Sequence, residues 1–259
     1  MTRRHRSQGV LTALLVALAV ITRGQAAGMR KRQGSSPQCV RDIDVTVVPT
    51  RGVLRGLPPV EMRTFGASAM AGVGVCNVSH SLPAQLAQRV ADGAGRAVHV
   101  VGYARSGALT RDVLDLQLPL ALGDTDVSVL LVGTNDVTNR TPPARLARHS
   151  GELLDALVGL GAPVVMSGLP EFRAMRAVPY RLRGAVHGYG RLMGAAQRHA
   201  ASQRASVRLV DVSRDVGRQF VHDPSTMSAD AFHPSGTGYG RIADALAPTV
   251  LPVLRASEP

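Results

Sequence analysis

The 259-residue chain is 45% hydrophobic and 19% charged, enough apolar material for one sizeable domain with short terminal extensions. Its formal charge of +12 does not by itself argue for nucleic-acid binding: the arginines are interspersed with aspartates, and with 3% aromatics and no Trp there is no platform on which bases could stack. Loss of residues 1–27 would remove Arg3, Arg4, Arg6 and Arg23 and no acid, lowering the formal charge to +8.

Residues 1–27 begin with a basic stretch and continue into an apolar run from Val10 to Ile21. The run is shorter than the ~20 residues of a membrane span and fits a secretory leader, whose apolar region is roughly 7–15 residues. Gly24, Ala26 and Ala27 offer a cleavage site, whereas Arg23 and "RKR" at 30–32 are unusual on a translocated flank. A cleaved signal peptide, an uncleaved signal anchor giving membrane association, and a misassigned start all stay open, with export expected. Residues 28–58, polar and Gly/Ser-bearing at their start, read as a linker or N-terminal extension. Cys39 and Cys76 can pair in an oxidising compartment, but their spacing resembles no metal site.

From there a short apolar run, a loop and a helical stretch alternate. "VEMRTFG" is an awkward first strand, because Glu61 and Arg63 fall where a central strand should be apolar, unless they pair on one face. The later runs "VHVVG" (98–102), "VSVLLVG" (127–133), "PVVMSG" (163–168) and "VRLVDV" (207–212) suit strands buried on both faces of a parallel sheet. Helices are expected over 82–91, 108–117, 142–160, 184–203 and 238–246. The third would place Leu146, Leu153, Leu157 and Leu160 on one face, starting at Pro142 and Pro143. Residues 169–183 and 214–229, the latter including "VHDP" with His222 and Asp223, read as loops. Such alternation predicts an α/β fold with right-handed crossovers.

Three loops follow the first three strands, and ligands of open parallel sheets bind at such carboxyl ends. They carry Ser68 in "TFGASAMAGVG", Gly107 in "ARSGA" and Asn135 in "GTND". Near the end, "DAFHPSGTGYG" places Asp230 three residues before His233, where a carboxylate can orient an imidazole. Singly, each has a plainer explanation: a helix N-cap for Ser68, a left-handed turn for Gly107, an Asx turn for Asn135, a helix-capping pair for Asp230 and His233. Those explanations do not predict all of them in this order at these boundaries. Together they supply a nucleophile, a base with its orienting acid, and two donors for an oxyanion. His80, His99, His149, His187 and His199 show no metal-ligand spacing and read as surface or satisfied histidines. No metal or cofactor is expected.

In these blocks the sequence resembles the SGNH hydrolases, or GDSL-type esterases and lipases, from about Val60 to Leu246. "FGASAMAGVGV" is similar to the block that holds the nucleophile, "SGA" and "GTND" to the two oxyanion-hole blocks, and "DAFHPSGTGY" to the block of the triad Asp and His. The resemblance implies a catalytic domain over 59–259 with a three-layer α/β/α sandwich on a five-stranded parallel sheet. It implies Ser68, Asp230 and His233 as triad, and Gly107 and Asn135 as oxyanion hole. No G-x-S-x-G occurs, which argues against an α/β-hydrolase elbow.

The departure is Ala67, where the family carries an aspartate that helps order the turn around the serine. Loss of such a support costs about 1–3 kcal/mol if its partner stays buried and unpaired, or roughly ten- to a hundredfold in rate, against about 10⁶-fold for loss of a serine nucleophile. The expectation is a monomeric, metal-independent serine esterase acting on a small-molecule, lipid or glycan ester. An acyltransferase using the same residues, an exported lipid- or glycan-binding protein with impaired catalysis, and a basic module attached to anionic lipid are the alternatives.

Overall fold

The computed structural model describes residues 39–40, 42–52 and 57–256; the leader expected over 1–27 lies outside them. Six strands form one sheet: β1 (Ile43–Val47), β2 (Val60–Gly66), β3 (Val98–Gly102), β4 (Val127–Leu131), β5 (Val164–Ser167) and β6 (Val207–Val210), in the order β1-β3-β2-β4-β5-β6. Strands β2 to β6 run parallel, while β1 pairs antiparallel with β3, from Ile43 opposite Gly102 to Val47 opposite Val98. The expected three-layer α/β/α fold holds, and the expected five parallel strands gain a sixth, antiparallel one. That strand, "IDVTV", comes from the segment read as an N-terminal extension. It alternates buried with exposed or half-buried residues, as a half-solvated edge does, unlike β4 and β5, which are buried throughout. A disulfide between Cys39 and Cys76 ties the chain just before β1 to the loop that follows the nucleophile candidate.

The helices are α1 (Leu82–Ala94), α2 (Thr110–Asp112), α3 (Thr134–Thr138), α4 (Pro143–Val158), α5 (Tyr180–Ser202), α6 (Val212–His222) and α7 (Gly236–Ala256). Side chains alternate across β4: Val127, Val129 and Leu131 join the core with α1 and α7, while Leu130 and Val132 join the core with Leu153, Leu154 and Leu157 of α4 and Ala200 and Ala201 of α5. Local signals set the helix ends. Ser81 accepts from the Ala84 N–H at the start of α1, and Gly95, at φ 65°, ends it in the left-handed region.

Four expectations need correction. Helix α4 stops at Val158, so Leu160 falls beyond it and is 40% exposed, while Leu146, Leu153 and Leu157 are buried. The stretch 108–117 is not one regular helix: α2 gives way to a π turn over Val113–Gln117 and a 3₁₀ turn over Leu118–Leu120. Residues 214–222, read as loop, belong to α6, whose Asp211 cap accepts from the Arg214 N–H (3.2 Å) and whose Val212, Val216 and Phe220 recur on one buried face. Helix α7 continues past Leu246 through Pro248 and Pro252 to Ala256.

The two charged residues that made β2 an awkward strand pair with each other. Arg63 Nη1 donates to Glu61 Oε2 at 2.8 Å. His99 of β3 then joins β1 to β2, its Nε2 2.8 Å from Asp44 Oδ1 and its Nδ1 2.9 Å from Glu61 Oε2. Hydrogen bonds to Asp44 and then Glu61 raise the imidazole pKa above its usual 6.5. A raised folded-state value means that the charged bridge stabilises the fold fully below about 6.5, and that this stabilisation is lost as the pH rises through the raised value. His99→Gln should therefore lower the Tm at pH 5 and change it less at pH 9. An equal loss at both pH values would show that the bridge contributes no charge-dependent stability.

Candidate active site

The site is built at the carboxyl ends of β2, β3 and β4. Strand β2 ends at Gly66, paired with Leu131 of β4. Gly66 has φ 143°, and a Cβ there would lie 2.0 Å from the Leu131 carbonyl oxygen, so no side chain fits. The next N–H, of Ala67, donates to that same oxygen at 3.2 Å. Ser68 follows in a tight turn, closed by Ala71 N–H to Ala67 O and Val73 N–H to Ser68 O, both 3.0 Å. The buried Tyr239 hydroxyl of α7 donates to Val73 O behind it.

The turn has a support that the sequence did not reveal. Gln117, fully buried at the end of the π turn, accepts from Gly66 N–H through Oε1 (2.9 Å) and donates through Nε2 to Gly66 O (2.8 Å). An inserted residue of this kind re-aims a side chain out of the regular helical register, which is why π turns recur at functional sites. Ala67 itself is buried and lines the cavity beside Ser68. Among the described residues, the buried side-chain polar atoms without a partner are on Arg63, Ser128, Ser150 and Gln197, and none of these residues lines that cavity. An alanine in place of aspartate has left no orphaned side-chain group around the nucleophile candidate.

The loop between α6 and α7 brings the other partners. His233 Nε2 lies 3.0 Å from Ser68 Oγ, and His233 Nδ1 lies 2.5 Å from Asp230 Oδ2. The second carboxylate oxygen, Asp230 Oδ1, accepts from Ser228 Oγ (2.7 Å) and from the Phe232 and His233 N–H groups (2.8 Å each). This folding back of the carboxylate is made by Ala231, which holds φ 56° in a region disfavoured for residues with a Cβ. Both side chains of the His–Asp pair are close to fully buried, at 5% and 6% exposure. Ser68, His233 and Asp230, 165 residues apart in sequence at the extremes named by the Ser–His contact, thus form one hydrogen-bonded chain.

The third and fourth candidates are brought to each other. Asn135 Nδ2 donates to Ala108 O at 2.9 Å, beside Gly107, which turns at φ 84° with open space where a Cβ would stand. Asp136 fastens the same two loops, accepting from the Thr110 N–H and hydroxyl, both at 2.9 Å in buried surroundings. Arg105 N–H donates to Gly66 O (3.2 Å), which links this loop to the turn that carries Ser68. An asparagine amide carries two protons, so the bond to Ala108 leaves one to donate elsewhere. His222 and Asp223, by contrast, end α6 and cap the following turn, and neither lines the cavity at Ser68.

The arrangement offers a serine against an imidazole whose other nitrogen is held by a buried carboxylate, the chemistry of nucleophilic acyl transfer. Residues 64–241 match the model of the GDSL-like lipase/acylhydrolase family. A GDSL-like esterase, Rv1075c of Mycobacterium tuberculosis (strain ATCC 25618 / H37Rv), is 27% identical over 190 residues, which cover 72% of this chain and 60% of that protein's length. The crystal structure of TesA superposes with a TM-score of 0.61 at 25% identity, covering 74% of this chain and 99% of that one. An extracellular lipase of Streptomyces rimosus shares the fold, with a TM-score of 0.52 at 22% identity over 77% of this chain and all (100%) of its own. The chain belongs to the GDSL-like lipase/acylhydrolase family.

Proposed function

We propose that this chain is a serine esterase that cleaves carboxylic esters through Ser68, His233 and Asp230. The observation that carries the reading is the unbroken Ser68–His233–Asp230 hydrogen-bond chain, with distances of 3.0 and 2.5 Å. Ser68 Oγ attacks the ester carbonyl while His233 Nε2 takes its proton. Asp230 fixes the tautomer that leaves Nε2 basic and stabilises the imidazolium that forms. The N–H groups of Ser68 and Gly107 and the free proton of Asn135 Nδ2 receive the charge that develops on the carbonyl oxygen. His233 returns the proton to the departing alcohol, and a water activated by the same imidazole releases the acyl group.

The cavity beside Ser68 supports a short, apolar acyl group. It encloses about 70 Å³ and is walled by Val212, Val216 and Phe220 of α6 with Met175, Phe232 and Ile242. That is small beside the roughly 300–1,000 Å³ of general ligand sites. Export through residues 1–27 belongs to the same proposal. The Cys39–Cys76 disulfide fits an oxidising compartment, and among the described residues no helix is long and apolar enough to cross a membrane.

Hydrolysis of p-nitrophenyl acetate, butyrate and octanoate by the parent and by Ser68→Ala tests the reading. Turnover should favour the shorter chains and fall about 10⁶-fold in the variant; a folded parent inactive on all three, or an unaffected variant, would refute it. Gln117→Leu would remove the side-chain acceptor of the buried Gly66 N–H and leave the Gly66 carbonyl with only the Arg105 N–H of these two donors, and kcat should fall roughly ten- to a hundredfold. KM should move much less than kcat, because Gln117 touches the nucleophile's turn and not the acyl cavity. A drop in Tm with unchanged kcat would mean that Gln117 supports the fold alone.

A further inference from the structure

A second, larger cavity adjoins the one at Ser68. It encloses about 640 Å³ between α5, α6 and the loop after β5, and the two cavities share Pro170, Glu171 and Gly217 as walls. Helix α6 is the partition. Its apolar face, Val212, Val216 and Phe220, looks into the small cavity, while Arg214 and Arg218 line the large one. At Gly217 the helix lies against the loop after β5, where a Cβ would come within 3.0 Å of the Glu171 side chain.

The large cleft is basic. Arg173, Arg191, Arg198, Arg214 and Arg218 line it, against two acids, Glu171 and Asp211. Both acids are engaged. Glu171 accepts from Arg173 Nε (3.0 Å) and Nη2 (3.1 Å) and faces His187 Nδ1 at 2.8 Å, while Asp211 lies 3.7 Å from Arg198. Arg214 is paired with Asp215 at 3.1 Å. Among the described residues, Arg191 of α5 and Arg218 of α6 make no ion pair, so two exposed arginines line the same cleft from opposite helices without an acidic partner. Gly194 of α5 also lines the cleft, and a Cβ there would meet only the Arg198 guanidinium, at 3.5 Å. A glycine inside a helix costs about 1 kcal/mol relative to alanine, and at Gly194 no tight packing contact accounts for it.

We propose that this cleft is an anion subsite and that the ester cleaved at Ser68 carries a phosphate or carboxylate group, held by Arg191 and Arg218. Guanidinium forks match both oxyanions with paired, charge-assisted hydrogen bonds. The cleft is too large for a bare oxyanion and has room for the part of the substrate that bears it. The proposal rests on the serine-esterase reading, since it assigns the substrate of that site.

The test compares kcat/KM for matched pairs of esters in the full chain. One pair is p-nitrophenyl butyrate and mono-p-nitrophenyl glutarate, with the anion on the acyl side. The other is 1-butyrylglycerol and its 3-phosphate, with the anion on the alcohol side. The parent should prefer at least one anionic member about tenfold at low salt. High salt and the double variant Arg191→Ala/Arg218→Ala should abolish that preference while leaving the neutral esters within about twofold. The pair that shows the preference identifies the side of the ester that enters the cleft. No preference in either pair, or an equal loss on neutral and anionic esters in the variant, would overturn the proposal. If the parent cleaves none of the four and a fluorophosphonate leaves Ser68 unlabelled, it is the esterase reading that has failed. Calorimetric titration with phenyl phosphate then decides the cleft: binding by the parent that is lost in the double variant sustains an anion site, and absent binding overturns it.

Discussion

The site depends on one close approach of backbone to backbone. Where β2 ends, Gly66 passes so near the Leu131 carbonyl of β4 that a Cβ would lie 2.0 Å from the oxygen. Only a glycine lets the chain turn there, and the turn delivers Ser68 to the crevice above two neighbouring parallel strands. The parallel strands follow the order β3-β2-β4-β5-β6, so the chain leaves β2 toward one edge and later returns to place β4 on the other side. A crevice opens between β2 and β4 at this reversal. The loop after β3 and the turn of α3 after β4 reach it from both sides, which is why Gly107 and Asn135 meet there although 28 residues or so separate their loops along the chain.

Around that constraint the polar groups are almost entirely committed. Asp230 uses one carboxylate oxygen for three short bonds within its own turn and keeps the other for His233. The strain of the left-handed Ala231 is offset by those bonds and by the tie from Ala177 N–H to Ala231 O (3.0 Å). Gln117 does for Gly66 what a nearby side chain on the turn could have done, but from a distant element. The cost attached to Ala67 presumed a partner left buried and unpaired; the residues lining the cavity include no such side chain, and Ala67 adds apolar wall to it instead. An ordered turn at Ser68 is thus compatible with "GAS" in place of the family's usual triplet.

What could be read in the sequence follows the range of the interactions. The Asp230–His233 pair lies within one turn and the Glu61–Arg63 pair within one strand, so both were visible as spacings. The parallel strands after β2 were visible as short runs rich in Val and Leu, β4 and β5 most clearly. Strand β1 was not, because an edge strand of five residues with one wet face carries half the apolar signal and its partner β3 lies more than fifty residues on. Helix α6 was hidden by its own composition: three apolar positions four apart, Val212, Val216 and Phe220, stand among Ser, Asp, Arg, Gly and Gln. Gln117 could not be recognised as a support because its partner is a backbone group 51 residues away. For the same reason the arginines of α5 and α6 read as scattered charge until the two helices set them around one cleft.

The claim at the centre of this account is that Ser68 is activated by His233 and Asp230. Reaction of the full chain with a fluorophosphonate, followed by peptide mass analysis, tests it most directly, because labelling needs an activated serine and no knowledge of the natural substrate. The account predicts a single adduct on Ser68 in the parent and none on the same timescale in a folded His233→Ala variant. A folded parent that stays unlabelled, or one labelled at Ser68 equally fast without His233, would contradict it.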